Sequence, residues 1–115
     1  MKISIITISF NANDTIEKTL KSVVGQSYKN IEHLIIDGGS KDNTIDICNS
    51  YTHISKIISE PDKGVYDAFN KGIKLATGNI IGFLNADDTF YDENSIQGIV
   101  DAFKQKSVDI VYGNL

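Results

Sequence analysis

The sequence predicts an α/β domain in which helices sandwich a mostly parallel sheet, with elements in the order βαβαβαβαβ. Three observations carry this. Apolar runs of strand length, rich in β-branched residues, recur along the chain; amphipathic helical segments separate them; and Gly, Asp and Asn gather at the junctions. That alternation is the pattern of parallel strands joined by crossover helices.

The first run, ISIITIS (Ile3 to Ser9), is almost continuously apolar and β-branched, as in a strand buried on both faces. Asn13 and Asp14 follow, with Glu17 three residues after Asp14, a capping-box pattern. Ile16, Leu20, Val23 and Val24 then recur at helical spacing up to Gly25. IEHLIID (Ile31 to Asp37) is a second strand, halted by Gly38 and Gly39. Asp42 to Tyr51 is expected as a short helix and Ile54 to Ser59 as a third strand, with Pro61 and Gly64 punctuating the next loop. Val65, Phe69, Ile73 and Ala76 form a helical stripe that Gly78 is expected to end as a left-handed cap. Asn79 to Asn85 is a fourth strand. Ile96, Ile99, Val100 and Phe103 mark a further helix, and Val108 to Gly113 a fifth strand. With no internal repeat, low-complexity tract or linker, residues 1–115 read as one domain.

The 115 residues are 41% hydrophobic, enough for a single core. A net charge of -4 argues against nucleic-acid binding, whose electrostatic footprint is basic, and acidic loops suit a divalent cation better. The one cysteine, Cys48, excludes an internal disulfide and reads as a small buried hydrophobe in a reducing compartment. No run approaches the roughly 18 apolar residues of a membrane span. The opening MKISIITISF lacks the small-residue cleavage site of a signal peptide, so a soluble, cytoplasmic protein is expected. His33 and His53 stand apart without zinc-ligand spacing and read as structural or surface residues.

In an open parallel sheet, ligands bind outside the carboxyl ends of the strands. Here those ends are polar: Ser9-Phe10-Asn11 after the first strand, Asp37-Gly38-Gly39-Ser40 after the second, Glu60 to Gly64 after the third, and Asn85-Ala86-Asp87-Asp88 after the fourth. Each has a plainer explanation as a turn or helix cap. Asp92 and Glu93, however, already supply acids to the first turn of the following helix, which frees Asp87 and Asp88 for a ligand. Magnesium or manganese is commonly held by one or two carboxylates plus substrate phosphates, so the pair implies a phosphate-bearing ligand. Neither G-x-G-x-x-G nor G-x-x-x-x-G-K-[ST] occurs, which disfavours dinucleotide dehydrogenases and P-loop ATPases.

The stretches SIITISFNANDTIEKTLKSVVGQSYKNIEHLIIDGGSKDNT and SEPDKGVYDAFNKGIKLATGNIIGFLNADD resemble, in that order, the two half-motifs of family 2 glycosyltransferases. The second is similar to bacterial members associated with capsule, lipopolysaccharide or exopolysaccharide assembly. The resemblance covers the whole chain. It implies a Rossmann-like GT-A half that binds a nucleotide-diphosphate sugar, most simply a UDP-sugar, with Mn2+ or Mg2+. By position it assigns Ser9, Phe10, Asn11, Asp37, Lys63, Asp67 and Asp87 to the nucleotide sugar, and Asp87 and Asp88 to the metal. Gly38 stands where many relatives have a second acid, and Asn85 replaces the leading acid of the metal motif.

The same resemblance implies an inverting transferase acting on a glycan or lipid-linked acceptor. Its base is expected beyond Leu115, in an acceptor region that this chain stops short of. The 115 residues are then a donor-binding part, inactive alone and prone to self-association through exposed apolar surface. The whole protein is expected to be cytoplasmic, with membrane association as an alternative. Two other readings compete. A non-catalytic nucleotide-sugar-binding module would keep the fold without turnover. A receiver-type signalling domain would need an acidic pair after strand one and a Lys after strand five, and the chain offers Ser9-Phe10-Asn11 and Gly113-Asn114 there.

Overall fold

A computed structural model describes residues 1–106 and 110–112. Five strands form a parallel sheet in the order β3-β2-β1-β4-β5: β1 is Ile3–Ser9, β2 Ile31–Asp37, β3 Ile54–Ser59, β4 Ile80–Phe83 and β5 Ile110–Tyr112. The helices between them are α1 (Ile16–Val24), α2 (Thr44–Asn49), α3 (Val65–Leu75) and α4 (Ser95–Lys106). The expected alternation is therefore present. Val108, Asp109 and Gly113 of the expected fifth strand lie outside the described residues, as does Asn114. No helix among the described residues is long and apolar enough to cross a membrane.

The period-2 alternation of β1 and β2 divides the core. Ile3, Ile5 and Ile35 face α1, α2 and α4, meeting Leu20, Val23, Cys48, Ile96 and Val100. Ile6, Leu34 and Ile36 face Ala68 of α3 on the opposite side. Cys48 is fully buried in this packing, as expected, and its thiol is pushed up to about 11 by burial and then by the charge of Asp37.

Several local expectations are corrected. The capping box at Asp14 does not form: α1 starts after Thr15, with no side-chain cap bond. Val24 is exposed, and the fourth buried position of α1 belongs to Thr19. On α3, Val65 and Ile73 are also exposed, and the buried face is built by Ala68 and Gly72. A methyl group on Gly72 would lie 2.6 Å from Ile6 Cγ2, so helix and sheet approach closer than larger residues allow. Gly78 is not a left-handed cap, since α3 ends at Leu75 with Ala76 extended behind it. Its lack of a side chain instead admits Ser4, whose Oγ would lie 2.6 Å from an added Cβ.

The two histidines do not stand apart. His33 on β2 and His53 in the turn just before β3 meet, with His33 Nδ1 2.9 Å from His53 Nε2 and His33 Nε2 2.7 Å from Thr7 Oγ1. His33 is fully buried.

Candidate functional site

The chain runs outward from β1 through β2 to β3, then returns to place β4 on the other side of β1. The strand order therefore reverses between β1 and β4, and the carboxyl ends of these strands flank a natural crevice. Two adjoining clefts open there. One, of about 470 Å³, is lined by Ser9, Phe10, Asn11 and Thr15 from the β1 side and by Asn85 and Asp87 from the β4 side. The other, of about 420 Å³, lies toward β2 and β3 and is lined by Phe10, Gly38, Pro61, Asp62 and Val65 among others. Phe10 borders both and is 62% exposed, an aromatic face held open at a strand end.

Asp37 organises the floor. In register it lies beside Ser9 on β1 and Ser59 on β3. Oδ1 accepts from the hydroxyls of Ser9 (2.7 Å) and Ser40 (2.6 Å). Oδ2 accepts from the Ser59 hydroxyl (2.8 Å) and from the backbone N–H groups of Gly39 (3.1 Å) and Ser40 (2.7 Å). Burial alone would raise this carboxyl, but the bonds from Ser40, and then from Ser9 and Ser59, hold it below the usual carboxylate range. At 1% exposure, Asp37 ties three strand ends together.

The loop after β1 is fixed to this floor. Ser40 Oγ also accepts from the Asn11 N–H at 2.7 Å, and Asn11 Oδ1 accepts from the Lys41 N–H at 2.9 Å. Asn11 has φ of 47°, a conformation that a short polar side chain tolerates through such local bonds. Beyond it, Ala12 N–H donates to Thr44 Oγ1 at 2.8 Å, which joins the β1 loop to the start of α2.

The acidic turn is fixed from the other side. Its chain leaves β4 with Ala86 N–H donating to the Ile8 carbonyl at 3.1 Å, and closes with Asp88 N–H donating to the Asn85 carbonyl at 2.9 Å. The buried Thr19 hydroxyl lies 3.0 Å from the Ala86 carbonyl and 2.6 Å from that of Asp88. Ala86 is thereby turned into the core, while Asp87 is exposed to the cleft and Asp88 is half-buried.

Of the residues singled out from the sequence, Ser9, Phe10, Asn11 and Asp87 come together on one cleft. Asp37 lies beneath them. Asp88 adjoins the cleft through the turn it shares with Asp87. Lys63 and Asp67 are not among the lining residues; Asp67 Oδ2 accepts from the Lys63 N–H at 2.9 Å and lies 3.7 Å from Lys71 Nζ. Thr19, and the roles of Ser40 and Ser59 as donors to Asp37, escaped sequence reasoning. The single polar position on the buried face of α1 was the available signal for Thr19.

Among the described residues, no group of three or more His, Cys, Asp or Glu side chains could hold a metal ion by itself. The Asp87 carboxylate on the open cleft, with Asp88 next to it on the same pinned turn, suits a hard cation that takes its other ligands from phosphate and water. The residues present therefore fit.

A family model described as Glycosyl transferase family 2 matches residues 4–115. An uncharacterized glycosyltransferase of Mycobacterium tuberculosis is 41% identical over 106 residues, spanning 90% of this chain and 40% of that protein. A PGL/p-HBAD biosynthesis glycosyltransferase of Mycobacterium bovis is 36% identical over 118 residues, spanning 97% of this chain and 46% of the relative. The chain thus covers less than half the length of these relatives. Among solved structures, S. aureus TarS 1–349 in complex with UDP-GlcNAc is similar with a TM-score of 0.84 at 22% identity, over 93% of this chain and 32% of that one. The mannosyltransferase PcManGT from Pyrobaculum calidifontis, in complex with GDP-Man and Mn2+, is similar with a TM-score of 0.83 at 21% identity, over 93% and 33%. The expected GT-A architecture is the fold these structures share with the chain.

Proposed function

The chain belongs to glycosyl transferase family 2, and on that premise we propose that it is the donor-binding part of an enzyme that transfers a sugar from a nucleotide-diphosphate sugar to an acceptor hydroxyl. The observation that carries this reading is the cleft at the β1/β4 reversal, where the exposed Phe10 and the exposed Asp87 line one surface. An aromatic face suits the flat base, and carboxylates suit a cation shared with the diphosphate.

In this reading Phe10 packs against the base, and Ser9 and Asn11 set the height and direction of the β1 loop beneath it. Asp37 acts through Ser9 and Ser40, keeping that loop in place rather than meeting the ligand. Lys63 and Asp67 hold the entrance to α3. Asp87 and Asp88 hold Mn2+ or Mg2+, and such an ion, when bound, neutralises charge gathering on the departing diphosphate. The displacement is inverting, with its general base supplied from outside residues 1–115, and the acceptor is a glycan or lipid-linked hydroxyl compound. A UDP-sugar is the donor we favour.

Calorimetry against UDP- and GDP-sugars, with and without Mn2+, tests this. Nucleotide binding should depend on Mn2+ and weaken by about tenfold or more in Asp87→Asn, the scale of one lost charged contact. Nucleotide binding that ignores Mn2+ and survives both Asp87→Asn and Asp88→Asn would sink the reading.

A further inference from the structure

Resting on the donor-binding reading above, we infer that the carboxylate of Asp62 reads the base of the nucleotide, selecting bases that present a ring N–H to it. The starting point is Gly38. Its φ is unexceptional, so backbone strain does not demand glycine there. What a side chain would meet is informative: an added Cβ would lie 3.2 Å from Asp62 Oδ2 and 3.3 Å from Phe10 Cδ1. The space that a residue at 38 would fill is thus bordered by a carboxylate from the loop after β3 and by the ring from the loop after β1.

The carboxylate is held by one oxygen and open at the other. Asp62 Oδ1 accepts from the Gly64 N–H at 3.2 Å, while no described residue donates to Oδ2. Gly64 has φ of 113°, so the turn that presents the carboxylate favours glycine. The 420 Å³ cleft around it has apolar walls from Ile8, Phe10, Pro61, Val65 and Ala68, with Asp62 its one charged lining residue. An aromatic face beside an unpaired acceptor in an apolar cleft fits a planar heterocycle with a donor on its edge.

An ionised carboxylate accepts hydrogen bonds and donates none. Uracil and guanine offer it a ring N–H. Cytosine presents a lone pair at the corresponding ring nitrogen, which leaves the acceptors opposed, and such mismatches are rejected more strongly than a missing methyl group. The chemistry therefore favours uridine or guanosine diphosphates over cytidine diphosphate.

The test is calorimetric titration of the protein with UDP, GDP and CDP in the presence of Mn2+. Unsubstituted protein should bind UDP or GDP about tenfold or more tighter than CDP, the scale of one hydrogen bond to a charged group. In Asp62→Asn, the amide oxygen can keep the Gly64 bond while the amide N–H takes the place of Oδ2 as a donor. The UDP-to-CDP preference should then collapse toward one or invert. Asp62→Ala, which supplies neither donor nor acceptor, should lose UDP affinity by about tenfold and leave CDP unchanged. An unaltered UDP-to-CDP ratio in both variants, with Mn2+-dependent binding still lost in Asp87→Asn, overturns the role of Asp62 and leaves the donor-binding reading intact. No binding of any nucleotide to the unsubstituted protein overturns both.

Discussion

The Thr19 hydroxyl lies 2.6 Å from the carbonyl oxygen of Asp88, so a residue buried on α1 holds the acidic turn 69 positions further along the chain. The same hydroxyl reaches the Ala86 carbonyl at 3.0 Å, and both ends of the turn therefore share one donor. The direction in which Asp87 points into the cleft is set by this packing as much as by the turn itself.

Removing only that donor isolates its effect. We predict that Thr19→Val, which keeps the shape but not the hydroxyl, lowers stability by about 1–2 kcal/mol by leaving buried carbonyls unpaired. It should also weaken Mn2+-dependent nucleotide binding by about threefold or more, while Thr19→Ser restores it. Parallel denaturation and calorimetry check this. A Thr19→Val protein that loses stability but keeps its metal dependence unchanged would confine Thr19 to a structural role.

Asp37 gives a second prediction. Its two oxygens meet donors from Ser9, Gly39, Ser40 and Ser59, so Asp37→Asn removes the charge and turns an amide N–H toward either hydroxyls that must reverse to accept it or backbone N–H groups that cannot. The expected loss is about 2–3 kcal/mol, measured by urea unfolding. Its folded carboxyl is held below the unfolded value, so the contribution is present above about pH 4 and lost as pH falls. The stability difference between the native protein and Asp37→Asn should therefore narrow in acid.

These two residues also mark how far the sequence could be read. The strand runs at Ile3 to Ser9, Ile31 to Asp37 and Ile54 to Ser59 were legible to their ends, because long β-branched stretches have few alternatives. The convergence of Ser9, Phe10, Asn11 and Asp87 followed from topology alone. The cage around Asp37 did not, since its donors come from three strand ends whose register is a tertiary fact. The His33–His53 contact was hidden for the same reason. On α3 the large apolar residues Val65 and Ile73 mark a stripe that is exposed, whereas the buried face depends on the small size of Ala68 and Gly72.

The His33–His53 pair makes stability sensitive to mild acid. Burial, and then the neighbouring His53, push His33 down to about 3. Its folded pKa lies below the unfolded value of about 6.5, so its contribution is full above pH 6.5 and is lost as pH falls toward 3. Between pH 7 and pH 5 this one group should cost about 2 kcal/mol of stability. Glu32 acts lower: burial would raise its carboxyl, but bonds from Thr77 and Ser4 and the charge of Lys2 hold it at about 2. Its contribution disappears only as pH falls below about 4.5. Unfolding at a series of pH values should show a slope between 7 and 5 that His33→Gln flattens. A slope unchanged in His33→Gln would reject the assignment.

One substitution at two helical glycines should move stability in opposite directions. Gly98 on α4 has nothing within 4 Å of an added Cβ, so Gly98→Ala gains helix propensity and should stabilise by about 0.5–1 kcal/mol. Gly72 on α3 offers the same gain, but its added methyl would lie 2.6 Å from Ile6 Cγ2 and 2.9 Å from Ile6 Cδ1. Ile6 is fully buried and cannot swing into solvent, so the methyl forces α3 off the sheet. Overpacking of this kind costs about 1–3 kcal/mol, and Gly72→Ala should be destabilised overall. Denaturant midpoints of the two variants check the contrast. Combining Gly72→Ala with Ile6→Ala should cost less than the two changes summed, because the second removes the atoms that the first strikes. Strict additivity would show that the close approach of α3 to β1 does not set the requirement for glycine.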